Sequence, residues 1–307
     1  MGSTRALLLA GAMALGYASA AGAADLPPPP PAYFPPPPPP PVVFSGWYLR
    51  GDVGAGISNS PDIRSTFYDK TTGDLLSYDA AGIQSFGRDR QHMSEVGYVD
   101  VGVGYEFNDW FRMDVTGEVR SEAKFSTTEH YGLDFLPGAV PGQLGYDNYK
   151  GSVQSSVFMV NGYVTLGTWY GIAPYLMGGV GAAYHQMSAL TDINPGVTVN
   201  YTDGTSGVTG LGGGGFADSR SKWELAYAGG AGFSYALSHN LLLDIGYRYL
   251  DMGSIKSGNI VCLTSCGAYE RQKIHLTSND VHVGLRWLIG DYAPPPPQFE
   301  APIIRKY

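Results

Sequence analysis

The sequence predicts an all-β protein, an eight-stranded antiparallel up-and-down transmembrane β-barrel between two Pro-rich, disordered ends. Two observations lead to this fold class. Eight segments alternate between apolar and polar residues with a period of two, as side chains do along a β-strand. The connections between them are alternately short and long, which is typical of transmembrane barrels with tight turns on one side and long loops on the other.

Composition separates the body of the chain from its ends. Of 22 prolines in 307 residues, 17 lie in Pro27–Pro31, Pro35–Pro41, Pro294–Pro297 and Pro302. The chain is 44% hydrophobic and only 15% charged, which argues against a disordered body. With 19 basic against 27 acidic residues, the net charge of −8 excludes a protein that binds nucleic acid through a basic surface.

The first 23 residues have the pattern of a cleaved export signal. Arg5 precedes an apolar stretch, Ala6–Leu15, and Ala21-Gly22-Ala23 fits a small-residue cleavage site. An uncleaved membrane anchor is the alternative, and the scarcity of strongly apolar residues disfavours it. We therefore expect a signal peptide at 1–23, a Pro-rich periplasmic segment at 24–44, a barrel at 45–290 and a Pro-rich periplasmic tail at 291–307. The proline runs should form extended polyproline II spacers.

The eight predicted strands carry their charges on one face each. They are residues 46–57, 98–107, 111–120, 158–166, 175–185, 222–235, 241–249 and 280–289. In the first strand, for example, Val53 and Ala55 oppose Asp52 and Gly54. Short turns are expected at 108–109, 167–171 and 238–240, and long loops at about 58–92, 121–152, 188–220 and 253–273. Aromatic residues near the strand ends, such as Trp47, Trp223 and Trp287, suit interfacial belts.

Glycine indicates which face points inward. Eight glycines, including Gly54, Gly102, Gly104 and Gly284, share the charged face, where side chains would converge inside a narrow barrel. A water-soluble lipocalin-like barrel is the alternative, with charges outside and no such need for small residues. We therefore place a charge network in the lumen. Its predicted members are Arg50, Asp52, Asp100, Glu106, Arg112, Asp114, Glu118, Arg120, Glu224, Asp244, Arg248 and Arg286, and Lys222 and Asp280 share the same faces.

The predicted lumen is narrow. An eight-stranded barrel is just wide enough for its own side chains, and buried charges are costly unless they pair. The charges should therefore form a salt-bridged plug, and a narrow ion path is the alternative for the same residues.

Four segments resemble a known family. Leu243–Asp251, preceded by Ser238-His239-Asn240, looks like the penultimate strand of small alphaproteobacterial outer-membrane β-barrel proteins of the rhizobial and brucella kind. Asn161–Gly171 with Pro174-Tyr175 resembles their central hairpin, Ala24–Pro27 their mature start and Val281–Trp287 their closing strand. The resemblance implies the cell outer membrane, and a surface antigen described as porin-like, envelope-stabilising or opacity-like.

The remaining candidate chemistry is sparse. Cys262 and Cys266 share one long loop, and in an oxidising compartment they should form a disulfide; free thiols or a metal site are the alternatives. The glycine-rich segments lack the context of a nucleotide loop, and no H-x-x-H or H-E-x-x-H motif occurs. We therefore expect no enzyme activity, no catalytic residues, no metal and no cofactor.

These observations leave three functional hypotheses. The first is a structural outer-membrane barrel whose long loops meet host or surface ligands. The second is a narrow porin-like channel for ions or small solutes, and the third, least favoured, is an outer-membrane lipid-modifying or proteolytic enzyme. The expected partners are outer-membrane lipid and lipopolysaccharide, the barrel-assembly machinery, and periplasmic or peptidoglycan contacts through the Pro-rich ends.

Overall fold

The computed structural model describes residues 46–58, 61–77, 84–209, 213–262 and 268–289, and everything below concerns these residues. The predicted signal peptide, the segment 24–44 and the tail 291–307 lie outside them. Within the described residues, no helix is long and apolar enough to span a membrane.

Sixteen β-strands make up the described chain. They are β1 Gly46–Ile57, β2 Asp62–Tyr68, β3 Leu75–Leu76, β4 Gln84–Met93, β5 Val96–Glu106, β6 Phe111–Arg120, β7 Ala123–Gly132, β8 Leu144–Thr165, β9 Ile172–Ile193, β10 Val197–Asn200, β11 Ser206–Thr209, β12 Gly214–Ala217, β13 Arg220–Ala236, β14 Leu241–Lys256, β15 Ile260–Cys262 and β16 Tyr269–Ile289.

Eight of these strands close into a ring. The antiparallel order is β1-β5-β6-β8-β9-β13-β14-β16, and β16 returns to β1 through a register that begins at Trp47 opposite Ile289. The remaining neighbours in the ring, β9 with β13 and β13 with β14, are also antiparallel. The fold is therefore the predicted eight-stranded up-and-down barrel, and closure removes the unpaired sheet edges that a membrane would not tolerate.

The apolar face of each barrel strand points outward. Val53, Val101 and Leu225 are 60%, 67% and 70% exposed, whereas Asp52 and Asp114 on the charged faces are 5% and 2% exposed. This polarity is the reverse of a water-soluble barrel and fits a lipid-facing surface. The glycine argument from the sequence therefore identified the inward face correctly.

Aromatic residues mark two levels on the outer surface. Near the short turns, the rings of Trp47 and Tyr105 lie 5.3 Å apart in an edge-to-face contact. At the other end, Trp223 contacts Tyr184 with ring centroids 5.1 Å apart. Trp223 and Tyr235 lie twelve residues apart on β13. This length rises by about 30 Å at a strand tilt of about 40°, close to the height of an apolar band.

Several strands continue far beyond this band. β8 and β9 have 22 residues each and β16 has 21, about twice what a tilted strand needs to cross a membrane. Their outer halves pair with short strands in the order β4-β7-β8-β9-β12-β15-β16-β2, which continues the barrel sheet and which we call the upper tier. The four long connections were predicted as loops; in the structure much of their length is β-strand.

Where β16 leaves the apolar band, the polarity of its two faces is exchanged, although the side chains continue to alternate between outward and inward. Below this point Val281 and Val283 point outward and Asp280 inward. Above it Lys273 and His275 share the outward face, and Ile274 and Leu276 are buried inside. Outside the upper tier water replaces lipid, so polar residues face out there, and directly above the apolar band apolar residues such as Ile274 and Leu276 fill the interior.

Candidate functional site

The barrel interior is filled in three layers that can be followed along the inward face of β16. Arg286, Asp280 and Ser278 belong to a charged layer inside the membrane span. Leu276 and Ile274 belong to an apolar layer above it, and Gln272 and Glu270 continue into an acidic layer in the upper tier. Because inward positions recur at every second residue, one strand contributes to all three layers.

Arg50 and Asp114 centre the lower part of the charged layer. Arg50 Nε lies 2.7 Å from Asp52 Oδ2, and Arg50 Nη1 lies 3.0 Å from Asp114 Oδ2. Asp114 also accepts hydrogen bonds from the Tyr48 hydroxyl at 3.1 Å and from Asn161 Nδ2 at 2.8 Å. Arg50 and Asp114 thus each have several polar partners, as burial of a charge requires.

Arg286 fills the bottom of the lumen. Its guanidinium lies 3.1 Å from Asp244 Oδ2 and 3.2 Å from Glu106 Oε2, and it donates to the Ser234 hydroxyl at 3.1 Å. The side chain is 2% exposed. Through this one residue of β16, the strands β5, β13 and β14 are linked to β16.

The upper part of the charged layer is a four-residue cluster. Arg120 contacts Asp280 through both guanidinium NH₂ groups, at 2.9 and 2.8 Å, and Glu118 at 2.7 Å. Arg248 contacts the same two carboxylates, with 2.9 Å to Asp280. Two cations and two carboxylates therefore alternate around the cluster.

Three predicted members lie apart from these ion pairs. Arg112 instead stacks on two rings, with its guanidinium carbon 4.4 Å from the Tyr163 centroid and 4.8 Å from the Tyr175 centroid. Asp100 is buried, and its Oδ1 has no hydrogen-bond partner among the described residues. Glu224 pairs with Lys222 at a half-exposed position on β13.

Tyrosines pack across glycines to complete the charged layer. A Cβ at Gly104 would lie 2.3 Å from Cζ of Tyr48, and one at Gly54 would lie 2.4 Å from Cζ of Tyr98. The rings take the space that side chains would need, as the sequence predicted for glycines on this face. A void of about 10 Å³ among Arg50, Asp100 and their neighbours is at the lower limit for one water molecule.

The apolar layer closes the interior above the charges. Phe125, Met187, Ile255, Ile274 and Leu276 are each at most 3% exposed and belong to one continuous hydrophobic cluster. The cavity between this layer and Arg120 has a volume of about 30 Å³, room for one or two waters. The sequence interpretation missed this layer because all five residues lie outside the predicted strands, and two of them, Phe125 and Ile255, lie in segments predicted as loops.

Comparisons with known proteins show which family this chain belongs to. No family model matches the chain. An uncharacterized protein of Brucella abortus (strain 2308) is 31% identical over 216 residues, which are 67% of this chain and 68% of the relative. Outer membrane protein PagN of Salmonella typhimurium is 28% identical over 188 residues, 61% of this chain and 70% of PagN. The chain belongs to the family of the Brucella protein. It is an outer-membrane β-barrel protein, as the resemblance implied.

Solved outer-membrane proteins are more distant. Neisserial surface protein A is 12% identical with a TM-score of 0.36, and the match covers 80% of this chain and 99% of that one. OprG from Pseudomonas aeruginosa is 16% identical with a TM-score of 0.43, covering 80% and 97%.

The acidic layer of this outer-membrane barrel lies in the upper tier, outside the membrane. Glu270 Oε1 accepts hydrogen bonds from the Ser65 hydroxyl at 2.7 Å and the Tyr149 hydroxyl at 2.6 Å. Ser65 N–H also donates to Glu129 Oε1 at 3.1 Å. Burial raises the pKa of Glu129 to about 8, despite the hydrogen bonds from Ser65, and that of Glu270 to about 7. Burial is also the main reason why the pKa of Asp192 is raised to about 8 and that of Asp147 to about 6.

A serine, a histidine and an aspartate meet on the outer surface of the barrel. Ser254 Oγ lies 3.0 Å from His275 Nδ1, and His275 Nε2 lies 3.1 Å from Asp251 Oδ2. Asp251 also accepts the Tyr227 hydroxyl at 2.7 Å and the Gly253 N–H at 2.9 Å. Burial would raise the pKa of Asp251, but these hydrogen bonds and His275 hold it below its usual value. The sequence showed no such spacing, because a β-bulge between Asp251 and Ser254 brings these residues together.

Two further predictions concern ligands and cysteines. Among the described residues, no group of three or more His, Cys, Asp or Glu side chains could hold a metal ion. Cys262 ends β15, whereas Cys266 lies outside the described residues, so the disulfide stays a prediction.

Proposed function

We propose that this protein is a closed structural barrel that supports the outer membrane and presents a folded surface tier to the outside. The proposal rests on two successive layers of side chains that both block the barrel interior. Ion-paired side chains occupy the membrane span, and an apolar layer that includes Phe125, Met187 and Ile274 lies directly above them. An ion would have to displace paired charges and then cross a hydrocarbon layer without water, which is costly.

A narrow channel is the second candidate. Arg112 and Asp100 are buried in the lumen and form no ion pair with a described residue, and such groups could contact a passing ion. This candidate requires the apolar layer to open as well as the charge network.

Planar-bilayer conductance of the refolded mature protein tests the proposal. We expect no steady openings from the wild-type protein. A Leu276→Ser, Ile274→Ser variant tests whether the apolar layer adds to the block, and Thr277→Ser on the outward face serves as the matched control. Steady wild-type openings that disappear in Arg112→Ala or Arg248→Ala would overturn the closed barrel and support the channel.

Loss of the protein should weaken the envelope. A deletion strain should become more sensitive to detergent, and a plasmid-borne copy should restore resistance. Contacts with lipopolysaccharide, the assembly machinery and surface or host ligands, and with peptidoglycan through the Pro-rich ends, belong to the same proposal. Pull-down with purified peptidoglycan, comparing the full mature chain with one lacking 24–44, tests the last of these.

We also propose that the barrel is not a hydrolase. The contacts of Ser254, His275 and Asp251 follow the order of a catalytic triad, but Asp251 is equally engaged with Tyr227 and with the backbone of the bulge. The Gly253 N–H, the amide beside Ser254, donates to Asp251 and so does not point to an oxyanion site. This arrangement supports a structural role, fixing β14 to β16 above the membrane.

A further inference from the structure

A cavity of about 190 Å³ lies in the upper tier among residues of β2, β4, β7, β8 and β16, and the half-exposed Phe135, which follows β7, borders it. A dry protein cavity of about 150 Å³ can hold benzene, so this one has room for a compact organic group. It is separate from the lumen, because the apolar layer around Ile274 lies between them along β16.

Aromatic rings provide most of its walls. They are Phe67, Phe86, Tyr131, Phe135 and Tyr149. The faces of aromatic rings carry partial negative charge, and several rings around one space are the usual setting for a quaternary or alkylated ammonium group.

Carboxylates complete the lining. Glu129, Asp147 and Glu270 border the cavity, and Glu129 is 2% exposed. No carboxylate of these residues forms an ion pair with a described residue; Arg88 acts on Glu129 only at longer range. In the lumen, by contrast, six of the seven carboxylates of the charged layer are paired: Asp52, Glu106, Asp114, Glu118, Asp244 and Asp280.

Buried oxygens beside these carboxylates also lack donors. Gln272 is fully buried and donates through Nε2 to the Ser65 hydroxyl, which contacts both glutamates, while its Oε1 has no hydrogen-bond partner among the described residues. Asp192 Oδ1 is likewise buried and unpartnered, and the charge of Asp147 acts on it. Such groups are rare unless a missing donor or ligand completes them.

We propose that this cavity binds a small organic cation that carries an alkylammonium group. The aromatic walls contact its methyl groups, and Glu129, Glu270 and Asp147 supply the opposite charge. A divalent metal ion fits poorly, because it prefers six or more oxygen ligands and the walls are largely hydrocarbon. Binding favours the ionised carboxylates, so it releases protons to the solvent.

Titration calorimetry of the full mature chain in lipid nanodiscs at pH 7.5 tests this inference. The probes are tetramethylammonium chloride, choline chloride, and 3,3-dimethylbutan-1-ol, the uncharged carbon analogue of choline. We expect both cations to bind at least tenfold more tightly than the alcohol. The apparent enthalpy should differ between phosphate and Tris buffers because protons are released.

Two variants connect the binding to the cavity. Glu129→Gln should weaken choline binding at least tenfold, whereas Glu122→Gln, an exposed carboxylate just before β7, should not change it. Refolding of Glu129→Gln is judged by heat-modifiable migration on gels. If this variant does not refold, Tyr131→Leu tests the aromatic wall of the cavity instead. Three results would each overturn the proposal. They are equal binding of choline and the alcohol, tighter binding of magnesium chloride than of choline, and no binding of choline when choline is in 10-fold excess over protein at millimolar concentration.

Discussion

Arg120 and Asp280 form a two-point ion pair across the barrel interior although 160 residues separate them in the chain. The pair links β6 to β16, which are three places apart in the ring, across the lumen, and Arg248 shares the same aspartate. Closure of the ring by hydrogen bonds therefore has a counterpart in side chains that cross its centre.

Removing one charge from this cluster should be strongly destabilising. Asp280→Asn keeps the size of the side chain but leaves Arg120 and Arg248 with Glu118 as their remaining acidic partner. Loss of one partner of a buried pair typically costs about 3–5 kcal/mol. We expect a decrease of that order in the free energy of unfolding, measured by urea titration of tryptophan fluorescence in lipid vesicles.

An exposed pair provides the control for this experiment. Glu224→Gln removes the partner of Lys222, whose side chain is 52% exposed, and should cost about 1 kcal/mol or less. A similar loss of stability in both variants would show that the cluster around Asp280 has no special role.

The contact between Tyr48 and Gly104 gives a second prediction. A methyl group at position 104 would meet the Tyr48 ring at 2.3 Å, so Gly104→Ala should displace the ring from its hydrogen bond to Asp114 and cost about 1–3 kcal/mol. Gly229→Ala is the matched control, because nothing lies within 4 Å of a Cβ there. In a Tyr48→Leu background the deficit of Gly104→Ala relative to Gly229→Ala should become smaller, and what is left reflects the backbone carbonyl of Met113, which lies 2.6 Å from the same Cβ. A deficit that Tyr48→Leu leaves unchanged would refute the ring contact as a cause.

The sequence predicted the membrane-spanning part well, because lipid outside and charge inside impose a strict alternation there. β1 and β6 begin and end at the expected residues, Gly46–Ile57 and Phe111–Arg120. The inward direction of the charges also followed from the glycines. The individual partners could not be predicted, because Arg112 and Arg120 lie on the same face of β6 and nothing local distinguishes a ring partner from an acidic one.

The upper tier was missed for a physical reason. Above the apolar band the outside meets water, so the alternation of β16 reverses, and the same rule that identified Val281 and Val283 as outward residues fails at Ile274 and Leu276. Polar inward residues such as Gln272 further weakened the pattern. The reversal is visible in the sequence once the end of the apolar band is known.

His275 provides a test of the non-enzymatic proposal. His275→Asn breaks the contacts to Ser254 and Asp251, and losing hydrogen bonds of this kind should cost about 1 kcal/mol of stability. We expect the mass profile of lipid A from a deletion strain to match that of the parent strain, and no hydrolysis of short-chain nitrophenyl esters by the purified barrel. The exposed His92→Asn is the control for general effects of histidine loss. Ester hydrolysis that His275→Asn abolishes and His92→Asn retains would establish an enzyme.

Stability of the upper tier should fall as the pH rises. The folded pKa of Glu129 is about 8 against an ordinary value of 4.5, and that of Glu270 is about 7, because both carboxyls are buried. Between pH 4.5 and about 8 the folded tier keeps protons that the unfolded chain has released. The stability that these bound protons contribute is therefore complete below about pH 4.5 and is lost as the pH passes 8. Opening free energies of β2 and β7, from amide exchange corrected for intrinsic rates, should therefore decrease between pH 5 and 9 in the absence of added organic cations. Glu129→Gln should reduce this slope and leave β1 and β5 in the membrane span unaffected. A slope that is unchanged in Glu129→Gln would show that another group controls the pH response.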